Sequence, residues 1–413
     1  MIDKNNIPVG YKDSPVGIIP QEWEVKTFGE IGIFSKGSGI SRSEANTGNI
    51  PCVRYGELYT HHHNFIKIYN SFISKEVAAN SKLLKYGDIL FAATGETKGE
   101  IGKSVVFIDK IEAYAGGDII IVSPDFKLSD SLYMGYLSNS ISVIRQKATR
   151  GQGDAIVHIT SDAIKNILIP LPPLAEQKKI AEILCTWDDA IEKQSRLIEK
   201  LELRKRGLMQ RLLTGKTRLP GFTEPWKKIE LGEVFEERNE CNVEYLPLLS
   251  ITAERGVIMQ SESDKKDISN EDKSKYKRIC PNDIGYNTMR MWQGRSALST
   301  IEGIVSPAYT IVIPKSNIDP FFISVLLKLS RVVYDFWTHS QGLVGDTLNC
   351  KFHDFSKVKV FIPSLTEQKA IASVLTSADK EIETQRKKLE ALRQQKQGLM
   401  QQLLTGKTRV KVS

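Results

Sequence analysis

One pattern occurs twice and constrains this chain more than anything else in it. Glu176-Gln-Lys-Lys-Ile-Ala-Glu-Ile-Leu184 runs on to Gly207-Leu-Met-Gln-Arg-Leu-Leu-Thr-Gly-Lys-Thr-Arg218. Glu367-Gln-Lys-Ala-Ile-Ala-Ser-Val-Leu375 runs on to Gly398-Leu-Met-Gln-Gln-Leu-Leu-Thr-Gly-Lys-Thr-Arg409. Glu367 follows Glu176 by the same 191 residues that separate Arg409 from Arg218. A loop would drift in length; a rod whose length and face both matter would not.

Within the first copy the steps alternate four and three, the a/d seam of a coiled coil. The seam reads Ile180, Leu184, Trp187, Ile191, Gln194, Ile198, Leu201, Lys205, Leu208 and Leu212. The second copy answers with Ile371, Leu375, Ala378, Ile382, Gln385, Leu389, Leu392, Lys396, Leu399 and Leu403. Both seams are apolar and are interrupted by Gln and Lys at the same two places. Pro172-Pro173 precedes the first helix, and Ser364-Leu-Thr-Glu367 has the S-x-x-E spacing of a capping box before the second. Gly215 and Gly406 follow the last seam leucine, where a left-handed residue ends a helix. Each helix spans roughly 40 residues, or about 60 Å at ~1.5 Å per residue. Two separate surface helices would not need one shared length, so the expectation is that they pair antiparallel. That register sets Gln194 against Lys396 and Lys205 against Gln385, because polar seam residues fix register.

The repeat is larger than the helix. Trp23-Glu-Val-Lys-Thr-Phe-Gly29-Glu30 is answered by Trp226-Lys-Lys-Ile-Glu-Leu-Gly232-Glu233. Gly102-Lys-Ser-Val-Val106 is answered by Gly294-Arg-Ser-Ala-Leu298, and Asp118-Ile-Ile-Ile-Val122 by Tyr309-Thr-Ile-Val-Ile313. A helical stretch follows each, near 129–147 and 319–337. Short β runs with turn residues and one or two helices read as α+β. A shared frame with varied loops suits two binding heads with different targets.

Composition sets limits. The 413 residues carry a formal charge of +8, a moderate bias towards polyanions. No apolar run approaches the ~18 residues of a membrane span. The opening Met-Ile-Asp-Lys-Asn-Asn has no secretory core, and the five cysteines are scattered without a C-x-x-C pair. The expectation is a reduced, cytoplasmic protein without a metal knuckle.

Catalytic signatures are missing. Thr97-Lys-Gly-Glu-Ile-Gly-Lys103-Ser104 lacks the first glycine of a phosphate-binding loop and reads better as a turn carrying a cation, Lys103 in one head and Arg295 in the other. His61-His62-His63 points to alternate faces of an extended chain and reads as a polar loop tip rather than a metal site. No nucleophile elbow, zinc-protease helix or adenine-methyltransferase motif is found. The remaining signal is a set of polar-cationic loops whose side chains are of the kind that read base edges. The candidates are Thr94, Lys98, Lys103, Arg150 and Gln152 in head one, and Arg290, Gln293, Arg295 and Gln341 in head two. These are also ordinary loop residues, and a coiled-coil adaptor presenting two protein-binding heads is the alternative.

Ile169-Pro-Leu-Pro-Pro-Leu-Ala-Glu-Gln-Lys-Lys-Ile-Ala181 before a long helix, Leu-Leu-Thr-Gly-Lys-Thr-Arg after it, and Gly10-Tyr-Lys12 with Ile19-Pro-Gln-Glu-Trp23 resemble the specificity subunits of type I restriction–modification systems. The resemblance covers essentially the whole chain; the second copy departs with Ser364 in place of the second proline. It implies an N-terminal arm at 1–22, a target recognition domain at 23–173, a conserved helix at 174–218, a second target recognition domain at 219–363, and a second conserved helix with the tail at 364–413. Each recognition domain would read half of a split sequence in double-stranded DNA, and the coiled coil would set the spacing. It further implies two modification subunits as partners, carrying S-adenosylmethionine, and restriction subunits that use ATP and Mg. No cofactor or metal is expected in this chain.

Overall fold

The computed structural model describes residues 7–412 except 244, 253–254, 264–266, 268–270 and 343–347. The opening hexapeptide, on which the leader reading rests, lies outside the described residues, as does Ser413. The chain divides into two compact units, Met1–Ser195 with Lys388–Ser413, and Arg196–Lys387. Each unit therefore holds one head, the near part of that head's own helix and the far part of the other helix.

In the first unit β1 (Glu24–Thr27), β2 (Gly32–Lys36), β3 (Ile89–Ala92), β4 (Ser104–Val106) and β5 (Ile119–Pro124) precede the helices α1 (Ser131–Leu137) and α2 (Ile141–Arg150). Strand β6 (Leu168–Leu171) then pairs antiparallel with β1 and leads into the long helix α3 (Leu174–Leu212). The central sheet is antiparallel in the order β4-β3-β5-β2. Its two middle strands are apolar over Ile89–Ala92 and Ile119–Val122 because both faces are covered. Successive side chains alternate faces. Ile120 and Val122 meet the helices, and Ile119 and Ile121 meet a second, smaller core. The helical stretch expected as one piece is two helices, broken at Ser138–Ser140, so that Tyr133, Tyr136 and Val143 all reach the sheet.

The second unit repeats the plan. It has β7 (Lys227–Glu230), β8 (Phe235–Arg238), β9 (Ile284–Asn287), β10 (Ser296–Leu298), β11 (Tyr309–Pro314), α4 (Pro320–Leu326), α5 (Ser330–His339), β12 (Lys359–Ile362) and the long helix α6 (Leu365–Leu403). Its sheet order, β10-β9-β11-β8, matches the first strand for strand, and β7 pairs with β12 as β1 pairs with β6. The α+β class, the internal repeat and the antiparallel pairing of the long helices are all present.

α3 and α6 are 39 residues each. Ile180, Leu184, Ile198, Leu201, Ile371, Leu375, Ala378 and Ile382 are buried, as is Gln194. Trp187, Ile191, Lys205, Gln385, Leu389, Leu392 and Lys396 are half-buried. Pairing runs antiparallel within the second unit, where Glu202 meets Arg386, Arg204 meets Glu381 and Lys205 meets Asp379. The two seam lysines each meet a carboxylate: Lys396 pairs with Asp188 in the first unit, and Lys205 with Asp379 in the second. The solvation that a seam ammonium loses on burial is offset better by a carboxylate than by an amide.

The repeated motifs close on one another as two locks, one in each unit. Buried Glu176 takes both oxygens to Arg409, at 2.7 and 3.0 Å, and Trp23 Nε1 donates to it at 2.9 Å. Buried Glu367 takes Arg218 at 2.6 and 2.7 Å. Thus the arginine that ends one copy closes on the glutamate that opens the other. Gly215 (φ 68°) and Gly406 (φ 70°) take the left-handed turn that brings each arginine back. The capping box expected at Ser364 does not form, because the Glu367 carboxylate is taken by Arg218 and the Ser364 hydroxyl faces Thr366. The following glutamines staple helix to head. Gln177 accepts from Asp130 N and donates to the carbonyls of Leu128 and Pro172, and Gln368 accepts from Asp319 N and donates to the carbonyl of Pro363.

Candidate nucleic-acid interface

In head one β3 runs out into Thr94–Gly95, which pairs antiparallel with Val157–His158. This short ladder brings the two polar-cationic loops of the head side by side. The Thr94 hydroxyl lies 3.1 Å from His158 Nδ1, and Tyr59 donates to the Thr94 carbonyl at 3.0 Å. Across the loops Lys98 lies 3.8 Å from Asp154, both exposed. Gln152 is exposed and held through its backbone to His158. Next to it Gly153 has φ 107°, and a Cβ there would fall 2.1 Å from the Ile156 carbonyl, so the turn demands glycine.

Two of the expected head-one cations are placed otherwise. Arg150 spends its guanidinium on the carbonyls of Gln146 (2.9 Å) and Asn166 (3.4 Å), closing the end of α2. Lys103 is half-buried and lines a cavity of about 610 Å³ with residues of both long helices. Burial without an opposite charge lowers its pKa. His62, expected in a polar loop tip, is buried against the same cavity, while His61 and His63 are exposed. The chain is not extended here: His61 (φ -123°, ψ -21°) closes the short helix Tyr55–Thr60, and all three histidines line the cavity, so the burial of His62 comes from packing that the three-residue pattern does not encode. Close by, Lys147 is fully buried. Its ammonium donates to the carbonyls of Gly102 (2.6 Å) and Ser138 (3.0 Å), and burial brings its pKa down to about 7.

In head two β9 leads into a 3-10 turn, Met291–Gln293, and Gly294 at φ 72° returns the chain to β10. Met291 is buried and anchors the turn, and Trp292 Nε1 donates to the Met289 carbonyl at 3.0 Å. Arg290, Gln293 and Arg295 are left exposed, without a side-chain partner among the described residues. The second loop joins them: Gln341 and Asn349 bridge through their backbones, and Cys350 N donates to the Thr288 carbonyl at 2.9 Å. Gln341 itself donates to Asp354 at 3.1 Å.

α5 braces this turn, with Val333 3.1 Å from where a Cβ on Gly294 would sit. The same helix exposes Tyr334 (60%) and Trp337 (48%), rings 5.6 Å apart. Neither ring is among the residues expected from the loops. Their signal was legible, because Val332 and Phe336 form the buried stripe of α5 and Tyr334 and Trp337 fall outside it.

Among the described residues no group of three or more His, Cys, Asp or Glu could hold a metal, and no helix is long and apolar enough to cross a membrane. What the two loop pairs can do is present hydrogen-bond donors and cations from a braced sheet end. Such an arrangement suits base edges and phosphates.

Comparison with known proteins bears on this arrangement. Residues 20–203 and 223–394 match the profile described as "Type I restriction modification DNA specificity domain". A relative named putative type I restriction enzyme MjaX specificity subunit, from Methanocaldococcus jannaschii, is 27% identical, with 97% of each chain covered. The MjaVIII specificity subunit of the same organism is 28% identical over 95% of this chain and 94% of its own. Among solved structures, the HsdS subunit from Thermoanaerobacter tengcongensis shares the fold at a TM-score of 0.52 and 16% identity, covering 94% of this chain and 98% of its own. A chain from a study of complex assembly and conformational transition of the type I R-M system aligns at a TM-score of 0.60 and 17% identity, covering 94% and 99%.

Proposed function

The chain belongs to the type I restriction–modification DNA specificity family and carries the family's domain twice, and from that premise we propose how each head reads its half of a split site. As a specificity subunit it is the non-catalytic component of its system. Head two reads bases with Arg290, Gln293 and Arg295. Head one reads with Lys98 and Gln152. Thr94, Arg150 and Gln341 hold the loops in place, since each is already engaged within the head.

The observation that carries this reading is the unpaired trio on the head-two turn, fixed below by Met291 and behind by α5. Arg is the side chain best suited to guanine, and Gln to adenine. The paired helices α3 and α6 set the distance between half-sites and dock two modification subunits. Those partners bring S-adenosylmethionine, and restriction subunits bring ATP and Mg. The setting is the cytoplasm, where such a complex meets the chromosome.

Co-expression with the neighbouring modification subunit, followed by sequencing for methylated adenine, tests the reading. One split motif with a fixed gap supports it. An assembled complex that leaves the genome unmethylated, with no salt-dependent duplex binding, favours the adaptor alternative.

A further inference from the structure

The cavity of about 610 Å³ in the first unit has one wall from head one and the other from the helices. The head contributes His62, Lys67 and Lys103; the helices contribute Asp188, Arg393 and Lys396. The charges there do not cancel. Asp188 holds Lys396 and accepts the Tyr136 hydroxyl, and Glu192 lies 3.5 Å from Lys67. Lys103 and Arg393 remain without a side-chain partner among the described residues. His62 is only 4% exposed, yet its Nε2 has no hydrogen-bond partner.

A buried imidazole nitrogen without a partner and a half-buried ammonium without a side-chain acceptor favour an acceptor-bearing anion in the cavity that both residues line. Desolvation by burial lowers the Lys103 pKa, so an anion beside it would favour the charged form. An occupant suited to these groups supplies acceptors and negative charge. A carboxylate brings one charge and two oxygens. A phosphoryl group brings up to two charges and three outward oxygens, matching two cations and an imidazole N–H. The site is private to this unit, since Arg295, the counterpart of Lys103 in the repeat, is exposed on the reading turn.

We propose that the cavity between His62, Lys103 and Arg393 is a phosphoryl-anion site whose occupant ties head one to the helices it stands on. The phosphoryl group comes either from the backbone of bound DNA or from a free phosphorylated compound. The proposal does not depend on which residues read bases, so its failure would leave the half-site reading untouched.

Full-length protein is titrated with inorganic pyrophosphate by calorimetry, and with a non-cognate duplex over a salt series. Lys103→Met and Arg393→Ala are tested beside the parent chain. Arg393 is exposed, so its variant keeps the test decisive even if Lys103→Met folds poorly. One-site pyrophosphate binding, weakened about tenfold or more by either substitution, assigns a free phosphoryl ligand. No pyrophosphate binding, but a salt slope smaller by about 1 in each variant at unchanged base preference, assigns the DNA backbone. Pyrophosphate binding absent or unaltered in both variants, together with an unaltered salt slope, overturns the site.

Discussion

Head one and head two are built on the same four strands in the same order, yet they dispose of their polar side chains in opposite ways. Head one turns its cations inward or ties them down. Lys147 is sunk beneath the first loop, Arg150 closes a helix and Lys103 lines a cavity, while Lys98 stays exposed beside Asp154. Head two leaves Arg290, Gln293 and Arg295 unpaired on a single turn, with Tyr334 and Trp337 exposed on the helix behind it. A frame can be duplicated while its loops diverge, because the sheet needs only apolar alternation and the loops answer only to their ligand. The root of each head shows the same divergence. Trp23 donates to Glu176, whereas Trp226 lies under the Arg218 guanidinium at 5.9 Å with its Nε1 unpartnered.

The comparison can be broken first at the two locks. Arg218→Ala leaves Glu367 buried without its guanidinium, which should lower the unfolding midpoint more than any other single change named here. Arg409→Ala leaves Glu176 the indole N–H of Trp23, so its cost is expected to be smaller. Denaturant unfolding of the two variants measures the difference, and equal midpoints would remove the asymmetry.

The heads themselves come next. Gln293→Ala or Arg295→Ala should lose about 1–3 kcal/mol of discrimination at one half-site and leave the other intact. Methylation of oligonucleotides altered in either half reads this out, and equal loss at both halves would count against the assignment.

A third effect belongs to head one. The Lys147 pKa falls from its ordinary 10.5 to about 7 on folding. Between those values the unfolded chain binds more protons than the folded one, so stability rises with pH above about 7. The slope is at most about 1.4 kcal/mol per pH unit. Unfolding midpoints at pH 7, 8 and 9 should rise in the parent chain through this contribution, and Lys147→Met should remove it.

The smallest effect is at Lys98, whose pair with Asp154 is fully solvated. Lys98→Ala should alter stability by no more than about 0.5 kcal/mol. It should weaken duplex binding at low salt more than at high salt.

Much of the frame was legible because it rests on periodicity. The seam from Ile180 to Leu212, its copy 191 residues on, and the apolar strands at Ile119 and Tyr309 all follow from which positions must leave water. Positive φ at Gly215 and Gly406 was legible for the same local reason. The candidate site was legible only as a set of loops. That Thr94–Gly95 would pair with Val157–His158, and so bring Lys98 beside Asp154, depends on contacts between distant segments.

The sequence by itself determined a duplicated α+β head, a length-locked pair of helices and the class of residue at every seam position. These depend on burial patterns, which repeat along the chain at fixed intervals. Only the tertiary structure decided which polar groups meet. Lys396 takes Asp188, Glu367 takes Arg218 rather than capping its own helix, and Arg150 serves its helix instead of a ligand. Charge and hydrogen-bond partners are set by distances of about 3 Å between residues remote in the chain, and no local pattern carries that information.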